Sequence, residues 1–209
     1  MLKKTFFKID VVDRVYDNLV FDKSSAGSYE YTVPEEYNYI IIEIAGGNGC
    51  GVAQYNDYWF EEGKGGKGEK IRIKQLVPQN KKITGVVGAN GTIPGVGGQG
   101  LNPGGNGTRA TVGGSNTYGG GGGGSSSIVI DDILREASGG GGATFNAYFG
   151  GYYHAVGGKG GGPKGGAPGS SVNQQYATTN GGNATGELLN DTSSGYVKIW
   201  AGYDPYFKG

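Results

Sequence analysis

Glycine comes in blocks in this chain: 47 of 209 residues, with an unbroken run from Gly119 to Gly124 and a second from Gly139 to Gly142. Glycine loses more conformational freedom on ordering than any other residue and brings no side chain to a core, so isolated runs of it hold no shape. Here each run is joined to sequence patterned like a buried strand. Tyr39-Ile-Ile-Ile-Glu-Ile-Ala45 leads into Gly46-Gly47, and Gly119 to Gly124 leads through three serines into Ile128-Val129-Ile130. That coupling predicts ordered glycine.

One backbone form suits such runs. Polyproline-II geometry has three residues per turn, a rise of about 3.1 Å and no internal hydrogen bonds, and with glycine throughout, such helices pack at distances a side chain would forbid. Their amides then bond between neighbours, with Cα–H to carbonyl contacts as a secondary contribution. The competing expectation is a set of disordered glycine and serine linkers. A linker has no need to recur between so many strands of one domain, which favours the ordered form.

Short apolar runs punctuated by glycine predict an all-β protein, and 209 residues suffice for one large domain with a real core. Residues 1–28 carry Phe7, Ile9 and Val11 at strand spacing, then Val15, Leu19, Val20 and Phe21, and are expected to be an N-terminal attachment arm or the first strands; residues 29–209 form the domain proper. Tyr29, Tyr31 and Val33 alternate before a turn at Pro34-Glu35-Glu36, and the buried strand Tyr39 to Ala45 follows. Ile71 and Ile73 alternate with Arg72 and Lys74, and after the Pro78-Gln79-Asn80 turn Ile83 to Val87 is expected as the hairpin mate. Further strands are expected at Ala110 to Val112, Ser127 to Asp131 and Val197 to Ala201, with one helical turn around Asp131 to Glu136.

Lysine plus arginine equals aspartate plus glutamate at 18 each, so no basic field is available to hold a phosphate backbone, and nucleic acid is not an expected partner. Met1 to Asp10 opens like a signal peptide, but Lys8 and Asp10 interrupt its apolar stretch, and no segment approaches the roughly 20 apolar residues of a membrane span. Synthesis in cytoplasm without membrane insertion is the expectation. Cys50 is the only cysteine and His154 the only histidine, which excludes an intrachain disulfide and a zinc site of His and Cys ligands.

Glycine-rich loops raise nucleotide binding, and the motifs fail one by one. A P-loop needs Ser or Thr after its lysine, but glycine follows Lys64, Lys67 and Lys159. Glycines 46, 47, 49 and 51 miss the dinucleotide fingerprint and no helix follows them. Gly104 to Val112 approaches a calcium nonapeptide, but Arg109 stands where the ligand aspartate belongs. Glu35-Glu36, Glu61-Glu62 and Asp131-Asp132 are adjacent acids that point to different faces and read as solvated edges rather than acid–base pairs. Sequons at Asn90, Asn106, Asn183 and Asn190 carry no weight without secretion. No catalytic residue, cofactor or metal is expected, and the chain is not expected to be an enzyme.

The order of blocks carries a resemblance. Ser28-Tyr-Glu-Tyr-Thr-Val-Pro34, a strand ending Ile44-Ala-Gly-Gly47, Gly63-Lys-Gly-Gly-Lys-Gly-Glu69 before Ile71, Val77-Pro-Gln-Asn80 before Ile83-Thr-Gly-Val-Val-Gly-Ala-Asn-Gly91, then Gly119 to Gly124 and Ala137-Ser-Gly-Gly-Gly-Gly142, resembles the glycine-rich domain of bacteriophage tail and tail-fibre proteins over roughly residues 28–202. A similar module occurs in anaplastic lymphoma kinase-type receptors. The resemblance implies a jelly-roll-like β-sandwich joined to a bundle of packed polyglycine-II helices, with the loops between glycine blocks free for host-receptor recognition. It further implies a virion location, other virion subunits and a host-surface glycan or protein as partners, and a homo-oligomer such as a trimer. A purely structural virion component and a bacterial surface or matrix protein are the alternatives.

Aromatic residues supply the functional lead. Tyr55, Tyr58 and Trp59, and then Tyr148, Phe149, Tyr152 and Tyr153 beside His154, sit in glycine-flanked segments. Tyrosine and tryptophan give large contact area with a polar handle at low entropic cost, which suits recognition of sugars or protein loops. The same rings would equally cover the ends of a glycine bundle that has no side chains of its own.

Overall fold

The computed structural model describes residues 18–51, 65–77, 79–92, 95–112, 115–143, 145–148, 152–155, 157–162 and 194–204. Among them are twelve strands and no helix: β1 Asn18–Lys23, β2 Gly27–Thr32, β3 Tyr39–Ala45, β4 Lys70–Leu76, β5 Lys82–Val87, β6 Arg109–Val112, β7 Ser115–Tyr118, β8 Ser126–Ile130, β9 Ile133–Ala137, β10 Phe145–Tyr148, β11 Tyr152–Ala155 and β12 Tyr196–Gly202. Two four-stranded antiparallel sheets are ordered β1-β12-β3-β4 and β2-β5-β8-β9, and β6-β7 and β10-β11 form separate two-stranded ribbons. Of the segment 1–28, read as either arm or first strands, residues 18–23 form β1 at a sheet edge, whereas Phe7, Ile9, Val11 and Val15 lie outside the described residues.

Alternation decides which side chains go inward. Ile40, Ile42 and Ile44 of β3 share one cluster with Val197, Ile199 and Ala201 of β12, and the other sheet adds Ile83, Val87, Ile128 and Ile130. The two sheets therefore meet over a single core, and each fully buried isoleucine contributes about 1.5–3 kcal/mol by leaving water. Phe21 packs on Tyr29 and Tyr31 with ring centroids 5.5 and 5.4 Å away. Tyr29 lies opposite Gly85, and its hydroxyl donates to the Ser127 carbonyl at 2.8 Å, crossing the space that a side chain on residue 85 would fill.

Two sequence expectations are corrected. β5 is not the hairpin mate of β4: β4 pairs with β3, whereas β5 pairs with β2 and β8 in the other sheet. The five residues between them would fit a hairpin loop, but other contacts draw the chain away. Val77 enters the core, the Val33 amide donates to Lys81 O, and the Asn80 amide donates to Val33 O, both at 2.9 Å. Residues 131–136 hold no helical turn either. Asp131 and Asp132 have φ of 52° and 61°, the signs required by a two-residue I′ turn, and β9 returns along β8 with Ile130 opposite Ile133.

The glycine segments are bonded in another way. Gly119, Gly122 and Ser125 donate to the carbonyls of Thr108, Gly105 and Asn102, and Gly120 and Gly123 donate to Ala143 and Gly140. Carbonyls of the same run accept in the same rhythm: Gly121 and Gly124 from Cys50 and Gly47, Gly120 and Gly123 from Gly158 and Gly161, Gly122 and Ser125 from Gly98 and Leu101. The Gly124 amide also donates to Ala89. Bonds to any one neighbour recur every third residue, so successive residues turn to different neighbours. A Cβ on any of Gly120 to Gly124 would intrude on a backbone carbonyl oxygen: Cys50, Val96, Lys159, Gly47 and Gln99 in turn. The described glycine blocks are thus knitted into the domain rather than strung between its strands.

Candidate functional site

Small polar side chains join the sheets to the glycine region. Ser125, Ser126 and Ser127 are buried, and the Ser126 hydroxyl donates to Ala45 O at 2.6 Å while accepting from the Gly88 amide at 2.8 Å. Buried Glu69 accepts from the Ser138 amide at 3.1 Å. Where no backbone carbonyl is in place, asparagine provides one: Asn90 Oδ1 accepts from the Asn48 amide, Asn48 Oδ1 from Gly68 and Asn106 Oδ1 from Gly97. Asn90 and Asn106, which the sequence marks only as sequons, are therefore structural acceptors.

This network holds the ends of the aromatic segment 145–154. Before β10, Ala143 donates to Cys50 O and accepts from Gly120; after β11, Gly158 donates to Gly120 O and accepts from Gly142. Between these anchors β10 and β11 form an antiparallel ribbon with Tyr148 opposite Tyr152, Ala147 opposite Tyr153 and Asn146 opposite His154. Tyr148, Tyr152, Tyr153 and His154 are thereby brought onto one ribbon. Tyr55, Tyr58, Trp59 and Phe149 lie outside the described residues.

The paired acids behave as edges where they are described. Glu35 accepts from Asn80 Nδ2 at 3.0 Å, Asp131 pairs with Lys81, and Glu36 and Asp132 are exposed; Glu61 and Glu62 lie outside the described residues. No group of three or more His, Cys, Asp or Glu gathers among the described residues. Cys50 is half-buried, and burial pushes its thiol pKa up, which disfavours the reactive thiolate at neutral pH.

A second polar cluster, not singled out by the sequence, lies on the face of the β1-β12-β3-β4 sheet that turns away from the core. The Lys70 ammonium pairs with Glu43 at 2.7 Å, and the Tyr196 hydroxyl donates to the same carboxylate oxygen at 2.8 Å. Burial raises the Tyr196 pKa and works to lower that of Lys70, but hydrogen bonds from Lys70 to Glu43 and Tyr196 leave the lysine raised overall. Lys198 and Lys70 lie 5.3 and 5.7 Å from the Tyr196 ring centroid, Arg72 lies 5.7 Å from Trp200 and Lys74 lies 4.1 Å from Tyr39. The signal available in the sequence was Lys70-Ile-Arg-Ile-Lys74, whose alternation puts three cations on one side of a strand.

Compared with known families, residues 23–205 match a family described as a glycine-rich domain. No curated protein matches the chain. No helix among the described residues is long and apolar enough to cross a membrane.

Proposed function

Because the chain belongs to the glycine-rich domain family, we propose that it is a non-enzymatic scaffold of a phage particle, sited at a tail or fibre tip, whose loops between glycine segments contact the host surface. In this reading the two sheets form a jelly-roll-like sandwich and the glycine segments are packed polyglycine-II helices. The spacing of their hydrogen bonds at every third residue supports this, being the repeat of that helix.

The observation that carries the function is the anchoring of residues 145–155. Both ends are fixed by backbone bonds at Ala143 and Gly158, bonds that do not depend on which side chains the ribbon carries. Binding residues concentrate on segments held in this way. Replacing Tyr148, Phe149, Tyr152 and Tyr153 together with serine is expected to abolish adsorption of the particle to its host while the melting temperature stays within about 2 °C, a shift below that of 1 kcal/mol in a domain of this size. Aromatic anchors of a binding patch contribute about 2 kcal/mol or more each. A large fall in melting temperature, or failure to assemble, would assign the ribbon to capping the glycine region instead.

A further inference from the structure

We infer that the outer face of the β1-β12-β3-β4 sheet is a binding surface for an acidic polysaccharide, a site separate from the aromatic ribbon. Lys70, Arg72 and Lys74 occupy alternate positions of β4, about 7 Å apart at strand rise, and Lys198 extends the set onto β12. The inward residues between them, Ile71 and Ile73, pack against the core, which fixes the direction of the cations. The face holds these four cations against two carboxylates, Glu43 and Asp22, and Glu43 is buried beneath Lys70 and Tyr196. A ring beneath a cation gives it a defined place, as Trp200 does for Arg72 and Tyr39 for Lys74.

The chemistry of the rings selects the kind of polyanion. Tyr39 and Tyr196 are 6% and 4% exposed, so they cannot act as the stacking platforms that a single-stranded nucleic acid requires. Trp200 is only half-buried and faces exposed Leu19 in register, leaving an apolar strip beside the cations. A carboxylate-bearing sugar chain matches both features: its acid groups meet the row on β4, and the C–H faces of its rings lie on Trp200.

Polygalacturonate is the probe, with neutral dextran and poly(dT) as comparators, in affinity electrophoresis of the purified chain. Retardation by polygalacturonate that fades as salt is raised, with none by dextran, is expected. Arg72 and Lys74 are exposed, so Arg72→Glu with Lys74→Glu should weaken retardation at least tenfold with an unchanged thermal midpoint, and the milder pair Arg72→Gln with Lys74→Gln should weaken it less. No retardation by polygalacturonate, equal retardation of wild type and both variants, or equal retardation by dextran would each overturn the inference. Stronger retardation by poly(dT) would reassign the face to nucleic acid. A dimer in sedimentation that the charge reversal dissolves would reassign it to a second copy of the chain.

Discussion

In the two sheets, backbone bonds lie within a layer and side chains stand out of it, so burial is achieved by isoleucine and valine. In the glycine region bonds leave a segment on several sides, and the space a side chain would take is filled by the next backbone. The central run 119–124, with Ser125, bonds to segments around residues 47–50, 89, 98–101, 102–108, 140–143 and 158–161, whereas the backbone ladders of a strand such as β3 run to β12 and β4. One region excludes water with apolar carbon. The other does so with backbone bonded to backbone, and a Cβ on any of Gly120 to Gly124 would meet a carbonyl oxygen.

That contrast is broken or sharpened by moving single carbons. Gly122→Ala adds one methyl group against the backbone of Gly158 and Lys159, which cannot swing aside as a side-chain end would, and is expected to cost more than about 4 kcal/mol. A denaturant melt with an unchanged midpoint would show that the packing of the run is not needed for stability. Ile128→Ala removes carbon from the fully buried core shared by the sheets and should cost about 3 kcal/mol by the same melt, since a cavity remains. A cost below about 1 kcal/mol would mean that the core collapses around the loss.

The smallest effect is expected at Tyr31. Its hydroxyl is buried without a hydrogen-bond partner, so Tyr31→Phe removes a desolvation cost that nothing offsets and should raise stability by about 1 kcal/mol at pH 7. Burial, helped by Tyr37 and Glu36, pushes its pKa up to about 12. A raised acid remains neutral in the folded chain while the unfolded chain ionises, so its share of stability is complete below the ordinary tyrosine pKa of about 10 and is lost as pH rises from there toward 12. The phenylalanine variant should therefore lose stability less steeply over that alkaline window. Parallel curves for the two proteins would remove Tyr31 from the account.

The strands legible in the sequence were those whose alternation answered to one neighbour layer: Tyr39 to Ala45 is β3 as its residues suggest, and Tyr29 and Val33, alternate in the sequence, are both buried. β9 was missed because Ile133-Leu-Arg-Glu-Ala137 contains good helix formers, and a backbone with positive φ at two aspartates outweighs that propensity. The pairing of β4 escaped because a nearby strand in sequence is the simplest partner, while the real one was fixed by Val77 and residue 33. Of the two candidate surfaces, the glycine-flanked aromatics were visible as composition. The cluster of Glu43, Lys70 and Tyr196 was not, since its members come from three strands and Tyr196 lies 153 residues beyond Glu43.

The three-residue rhythm of the run 119–124 also restricts how its gene can change length. Each residue class bonds to its own neighbours: 119, 122 and 125 to one set, 120 and 123 to a second, 121 and 124 to a third. Inserting one or two glycines would hand every later amide to the wrong neighbour, as a slip of one residue does to a strand. Inserting three would restore each class to its direction. Repetitive glycine codons are prone to slippage, and only steps of nine nucleotides leave this bonding pattern in phase, so the run is repetitive in composition but strictly framed in length.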